Sequence, residues 1–229
     1  IGVARSANPS GPFTDLGKVL DTQSSGVSNS IDQFYMTTGS GRNKKTYLFW
    51  GSYRGIYGQE IAADMKSLTG TKFKIAGNGF EGTYIYEQID KETGKSVFWY
   101  FGSNNNCCDG KDSQYQLSIA RATSVTGPYR TKDGVDIIND GVKGTLFLHG
   151  DQKVGFVGPG HNAEIIVDDN GRSFILYHAV RYDNPLLYGG ATRRPLMMDE
   201  VLWGADGWPY IEGGVPSNTP KIAPHFNSN

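Results

Sequence analysis

Three polar residues each open a stretch that is otherwise apolar: Asp32 in "SIDQFYM" (Ser30–Met36), Glu81 in "FEGTYIYEQ" (Phe80–Gln88) and His161 in "GHNAEIIVD" (Gly160–Asp168). A charge among apolar neighbours is costly unless it has a partner or a chemical task. One such residue is readily explained as a strand end bonded to a loop. The same placement in three successive units is harder to assign to loops alone. Two carboxylates facing one pocket have their proton affinities pushed apart, so that one keeps a proton to donate while the other stays ionised. That pairing suits cleavage of a glycosidic bond. An acid protonates the leaving oxygen and, where configuration inverts, a base about 6.5–9.5 Å away activates water.

The elements that must hold these residues are short strands in a repeating order. The first unit runs through "SIDQFYM", "KTYLFWGS" (Lys45–Ser52), "GIYGQEIAAD" (Gly55–Asp64) and "TKFKIAG" (Thr71–Gly77). The second runs through "FEGTYIYEQ", "SVFWYFGS" (Ser96–Ser103), "YQLSIARA" (Tyr115–Ala122) and a weaker stretch at "DGVDII" (Asp133–Ile138). The third runs through "GHNAEIIVD", "SFILYHAV" (Ser173–Val180), "RPLMMDEVLW" (Arg194–Trp203) and "GWPYIEG" (Gly207–Gly213). Four strands per unit, repeated, is the pattern of propeller blades, whose first strands line a central channel. Asp32, Glu81 and His161 are thereby expected at one end of that channel.

The opening "IGVARSANPSGPF" matches "LSIARATSVTGPY" (Leu117–Tyr129) without a gap, and so reads as the third strand of a further blade. The 229 residues are expected to be one propeller domain of about three and a half blades. Its first blade and the inner strands of the second are expected to be missing, because an open ring would leave unpaired strand edges.

Composition agrees with an all-β chain: 31 glycines and 12% aromatic residues against 20% charged ones favour tight turns between aromatic-rich strands. A net charge of −1 with scattered basic residues argues against a nucleic-acid partner. No apolar run reaches the length of a membrane span, and no targeting segment is visible. Cys107 and Cys108 are adjacent; neighbouring Cα atoms lie about 3.8 Å apart, below the usual disulfide range, so free thiols and a vicinal disulfide both remain open. Most aromatic residues of the second strands are expected to pack between blades. Trp50 and Tyr53, next to the channel end, are expected to stack on a sugar face.

Together "SIDQFY", "WGSYRGI", "FEGTYIY", "GSNNNCCDGKDSQYQLSIARATSVTGPY", "GPGHNAEIIVDDNGRSFILYHA" and "DEVLWGADGWPYIEGGVPS" resemble the arabinan-degrading members of glycoside hydrolase family 43, which are five-bladed β-propellers. The resemblance spans residue 1 to about 217. It implies hydrolysis of α-1,5-linked L-arabinan with inversion, arabinan or arabino-oligosaccharide as the partner, and no organic cofactor. Glu81 takes the place of the general acid, with Thr83 where a proline is usual. Asp32 takes the place of the carboxylate that orients the acid and raises its pKa, with Gln33 where a proline is usual. His161 matches a channel histidine beside a metal ion, commonly calcium, although an imidazole is a poor ligand for that hard cation. Ser52, Ser103 and the Cys107–Cys108 turn are expected at the same channel end, against the sugar.

The family's base belongs to a His-Asp-Pro-like motif of the first blade, and no such motif occurs here. The polypeptide alone is therefore expected to be inactive, with the base cut away or supplied by another chain. An α-L-arabinofuranosidase or β-xylosidase of the same family, and a carbohydrate-binding propeller without turnover, are the alternatives. A polymeric substrate implies secretion or periplasmic export.

Overall fold

The computed structural model describes residues 1–90 and 92–227. Strands β1 (Gly2–Arg5) and β2 (Thr14–Lys18) form an antiparallel pair. The first full sheet follows in the order β3 (Phe34–Thr38), β4 (Lys45–Trp50), β5 (Ile56–Ile61), β6 (Leu68–Ala76). The second contains β7 (Glu81–Ile89), β8 (Ser96–Asn104), β9 (Gln116–Ala122) and β10 (Thr145–Leu148). In the third, β11 (Phe156–Gly160) and β12 (Ile165–Val167) share the inner edge of β13 (Ser173–Arg181), and β14 (Leu196–Trp203) and the short β15 (Pro209–Tyr210) complete it. Among the described residues the pairings are antiparallel and, apart from β11 with β13, join consecutive strands, the meander of propeller blades.

The strands form where aromatic and β-branched residues run between turn residues. At the β12–β13 hairpin, Asp168 Oδ1 accepts from the amides of Asn170 and Arg172 while Gly171 takes φ 79°, a conformation glycine adopts without steric cost. β8 is buried along nearly its whole length, as expected of a strand covered on both faces by neighbouring sheets.

Apolar layers lie between the sheets. Phe49, Ile75, Phe80, Phe98, Tyr100 and Tyr129 belong to one buried cluster spanning the first and second sheets. Trp99, Phe101, Leu117, Ile175, Tyr177 and Trp208 belong to another spanning the second and third. Each fully buried side chain of this kind contributes roughly 1.5–3 kcal/mol against exposure. Close packing also fixes Gly58, where a Cβ would come 2.7 Å from the Phe49 ring and 2.8 Å from Phe73.

The repeat at the start of the chain is structural. Arg5 pairs with Thr14, and Arg121 with Arg130 at the equivalent place, so both copies turn back at the same residues. Their surroundings differ: Tyr129 is fully buried, with its hydroxyl on the Val125 carbonyl, whereas its counterpart Phe13 is 61% exposed.

Two expectations need correcting. The fourth strand of the second sheet is β10, not 133–138. The apolar character of that stretch serves packing: Ile137 is buried in the layer between the first two sheets, and its carbonyl accepts from the Gly77 amide. The inner strand of the third sheet starts at Phe156 and is interrupted at His161, so this histidine sits in a break between β11 and β12. The tail is tied down, since the amides of His225 and Asn227 donate to the carboxylates of Asp168 and Asp169.

Candidate active site at the channel mouth

Asp32, Glu81 and His161 converge although they come from three different sheets: one ligand atom of each lies within 4.8 Å of the others. Backbone conformation brings them there. Glu81 is the first residue of β7, opposite Ser103 on β8, just before a bulge at which Gly82 takes φ 59°. A Cβ at Gly82 would stand 3.0 Å from the His161 ring, so the glycine lets the imidazole come close. Asp32 (φ 55°), Tyr53 (φ 50°) and His161 (φ 47°) are all left-handed. Non-glycine residues in that region carry strain and gather at functional sites. The His161 amide donates to Ser103 Oγ at 2.7 Å, which anchors one of these turns.

Both oxygens of Glu81 are held. Tyr115 Oη donates to Oε1 at 2.5 Å and Ser52 Oγ donates to Oε2 at 3.1 Å. Burial, the Glu81 charge and the hydrogen bond to it push the Tyr115 phenol far above its ordinary range, so it remains a donor. Tyr53 is raised by burial, then by the charges of Glu81 and Asp32, and its hydroxyl donates to the Asn105 carbonyl at 2.5 Å. The Asp32 carboxyl is pushed upward by burial and by the Glu81 charge, against the opposing pull of His161 and the Gly82 amide.

Tyr115 is itself braced. The ring of His178 lies parallel to it, with centroids 5.7 Å apart and planes 6° apart. Burial, with the positive charges of Arg194 and His161, pushes the His178 pKa down to about 4. Tyr115 escaped the sequence reading as a site residue. The available signal was its place immediately before β9, at the end of the strand that returns from the channel mouth.

Three sequence-predicted sugar contacts are buried instead. Trp50 is fully buried in the cluster of Leu20, Val27, Leu48 and Ile61, and cannot stack on a ligand. Ser103 is also fully buried and serves the His161 backbone. Ser52, 2% exposed, touches Glu81 rather than the outside. Cys107 and Cys108 are bonded to each other in the loop between β8 and β9. Cys108 is exposed, and Arg194 Nη2 stands 3.3 Å from its sulfur. A cleft of about 310 Å³ runs from Asp32, Gly82 and His161 past Tyr84 to Glu164.

The donor set fits calcium poorly. His161 offers a nitrogen, Glu81 is already held by two hydroxyls, and Asp32 resists ionisation, whereas calcium takes about 6–8 oxygen ligands.

The sheets are arranged as propeller blades, with two carboxyls and a histidine brought together from three of them. The chain belongs to the glycosyl hydrolases family 43, whose pattern it matches over residues 1–209. It is 28% identical to the extracellular endo-α-(1→5)-L-arabinanase 1 of Bacillus subtilis, over 91% of this chain and 59% of that protein. It is 27% identical to the probable arabinan endo-1,5-α-L-arabinosidase C of Aspergillus niger, over 92% of this chain and 65% of that protein. The chain thus spans about three fifths of the length of these relatives. Among solved structures, the family 43 endo-arabinanase of Bacillus licheniformis is 25% identical with a TM-score of 0.69, covering 91% of this chain and 66% of that one. The Cellvibrio cellulosa α-L-arabinanase, solved with arabinohexaose, shares the fold at 22% identity and a TM-score of 0.68, over 90% of this chain and 64% of that one. The all-β propeller class read from the sequence holds.

Proposed function

We propose that the protein hydrolyses α-1,5-linked L-arabinan with inversion, and that Glu81 is its general acid. The observation that carries this reading is the seat of Glu81 at the channel mouth, with Tyr115 and Ser52 on its two oxygens and Asp32 and His161 within 4.8 Å. Glu81 protonates the glycosidic oxygen as the bond breaks. Two carboxyls this close hold a proton between them more firmly than either does alone. Asp32 therefore keeps the pair in its proton-donating form and orients the acid. It stands too near Glu81 to be the base that activates water, since the carboxyls of an inverting pair lie about 6.5–9.5 Å apart; another carboxylate has that task. Tyr53 and the Cys107–Cys108 turn meet the sugar at the rim.

The arabinanase names of the relatives support the substrate, and the word extracellular in the Bacillus subtilis name supports secretion. A calcium ion beside His161 would take most of its ligands from water, and no step of the reaction runs through it.

The test is proton NMR of the first sugar released from linear arabinan by the full-length protein. Inverted configuration is expected. Retention would overturn the reading, because Asp32 would then have the spacing of a nucleophile, about 5–5.5 Å in retaining enzymes. Product analysis against aryl glycosides and xylo-oligosaccharides separates this activity from an α-L-arabinofuranosidase or a β-xylosidase.

A further inference from the structure

Arg5 faces Thr14 across the turn of the opening repeat, whereas at the equivalent place Arg121 faces a second arginine, Arg130. The Arg121 amide donates to the Arg130 carbonyl at 2.9 Å and the Arg130 amide to the Arg121 carbonyl at 2.8 Å. Residues that exchange both bonds in this way project their side chains to one face, with Cβ atoms about 4.5–5.5 Å apart. Like charges directly opposite one another are destabilising. The turn does not demand the second arginine, because Thr14 closes the other copy. Among the described residues, neither guanidinium is paired with a carboxylate.

Both arginines line a cleft of about 340 Å³, with Lys132 and Trp208 beside them and no carboxylate in its wall among the described residues. Arg121 is exposed and lies over two buried indoles, its guanidinium carbon 5.6 Å from the Trp99 ring centre and 5.3 Å from that of Trp208. Stacking occupies the face of this planar group and leaves the N–H donors on its edge directed at whatever enters the cleft, a fork that fits two oxygens of one anion. Arg130 directs Nη1 to the Gly134 carbonyl at 3.0 Å, which leaves it other donors. Lys132 is compensated by Asp206 at 2.5 Å, so the uncompensated charge is that of the two arginines. Glu87 and Asp90 line a neighbouring cleft that shares Arg121, but they accept from the Ser96 hydroxyl and the Thr93 amide instead. Trp99, opposite Arg121, lies four residues along β8 from Ser103, which is opposite Glu81. At about 3.3 Å per residue, the cleft stands about 13 Å along the strand from the catalytic cluster.

We infer that Arg121 and Arg130 form a second binding site, for a small ligand bearing an oxyanion, either a carboxylate or a phosphoryl group, whose oxygens the two guanidiniums hold between them. The ligand's charge offsets the repulsion of the paired arginines. This site is separate from the hydrolytic one and does not depend on which saccharide is cut there.

Tryptophan fluorescence of the full-length protein tests it, since Trp99 and Trp208 lie under Arg121. Sodium glucuronate and inorganic phosphate are titrated separately, with ionic strength held constant by chloride, and methyl glucoside serves as the neutral control. A saturable change is expected with at least one anion and none with the control; the anion that binds more tightly identifies the group. Arg130→Thr, which gives the pairing found between Arg5 and Thr14, should weaken that anion about tenfold, the value of one hydrogen bond to a charged group, and leave arabinan turnover unchanged. Arg121→Lys keeps the charge and loses the fork, and should weaken it by a similar factor. Saturation by neither anion, equal affinity in the parent and Arg130→Thr, or a response to methyl glucoside as large as to the anions overturns the site and leaves the role of Glu81 standing.

Discussion

Glu81 is the first residue of a nine-residue strand in the second sheet, whereas Asp32 sits in a left-handed turn two residues ahead of the first sheet's inner strand. Glu81 has a hydroxyl donor on each oxygen. Asp32 is opposed by burial and by its carboxyl neighbour. One group is held by directional bonds that fix the orientation of its carboxyl, and the other is placed where its charge is disfavoured. A proton donor needs the first arrangement, because transfer requires alignment within hydrogen-bond reach. A group that keeps a pair partly protonated needs the second.

The sharpest way to break this contrast is to remove the held carboxyl. Glu81→Gln keeps the shape and loses the acid, and turnover of arabinan by the full-length protein should fall at least roughly a hundredfold, the lower end of general-acid contributions. Near-normal kcat would end the assignment. Removing one of its holders should cost less. Tyr115→Phe deletes the 2.5 Å bond while keeping the ring stacked on His178. A hydrogen bond to the protonated, neutral acid is worth about 0.5–1.5 kcal/mol, so kcat should fall several-fold to about tenfold with KM little changed. A change confined to KM would mean that Tyr115 binds sugar instead of positioning the acid. Ser52→Ala removes the longer bond, at 3.1 Å, and should lower kcat only a few-fold. A loss equal to that of Tyr115→Phe would show that the two oxygens are held alike.

The same contrast explains what could be read in the sequence. Strand order was legible because alternation and turn residues are local, and Asp32, Glu81 and His161 could be selected because each recurs at the head of a unit. Tyr115 could not be assigned to Glu81, since that contact depends on how far the loop between β8 and β9 carries the chain back. Trp50 was misread because it directly precedes Gly51 and Ser52 near the channel mouth, yet its side chain turns into the layer with Leu20 and Val27, a direction set by strand register. Asp133–Ile138 looked like a strand because Ile137 is apolar, but Ile137 plugs a gap between sheets without extended pairing. The two copies of the opening repeat teach the same lesson. Identical turns leave Phe13 exposed and Tyr129 buried, because burial is decided by what packs against a turn from elsewhere in the chain.

The smallest expected effect lies at Asp32 and is one of stability. Its carboxyl is raised above the ordinary aspartate value of 3.8, so the folded protein holds this proton more tightly than the unfolded chain does. Stability then falls as pH rises through the window above 3.8 and stays reduced beyond the folded value, because the unfolded state releases the proton first. Asn cannot ionise, and it tolerates the left-handed backbone that position 32 adopts. Asp32→Asn should therefore leave Tm unchanged at the acid end and raise it by a few degrees at most toward neutral pH, while turnover falls. Thermal unfolding of both proteins from about pH 3.5 to 7.5 measures the difference. A Tm that drops at neutral pH would mean that Asp32 is held by bonds as Glu81 is, and the opposition between the two carboxyls would fail.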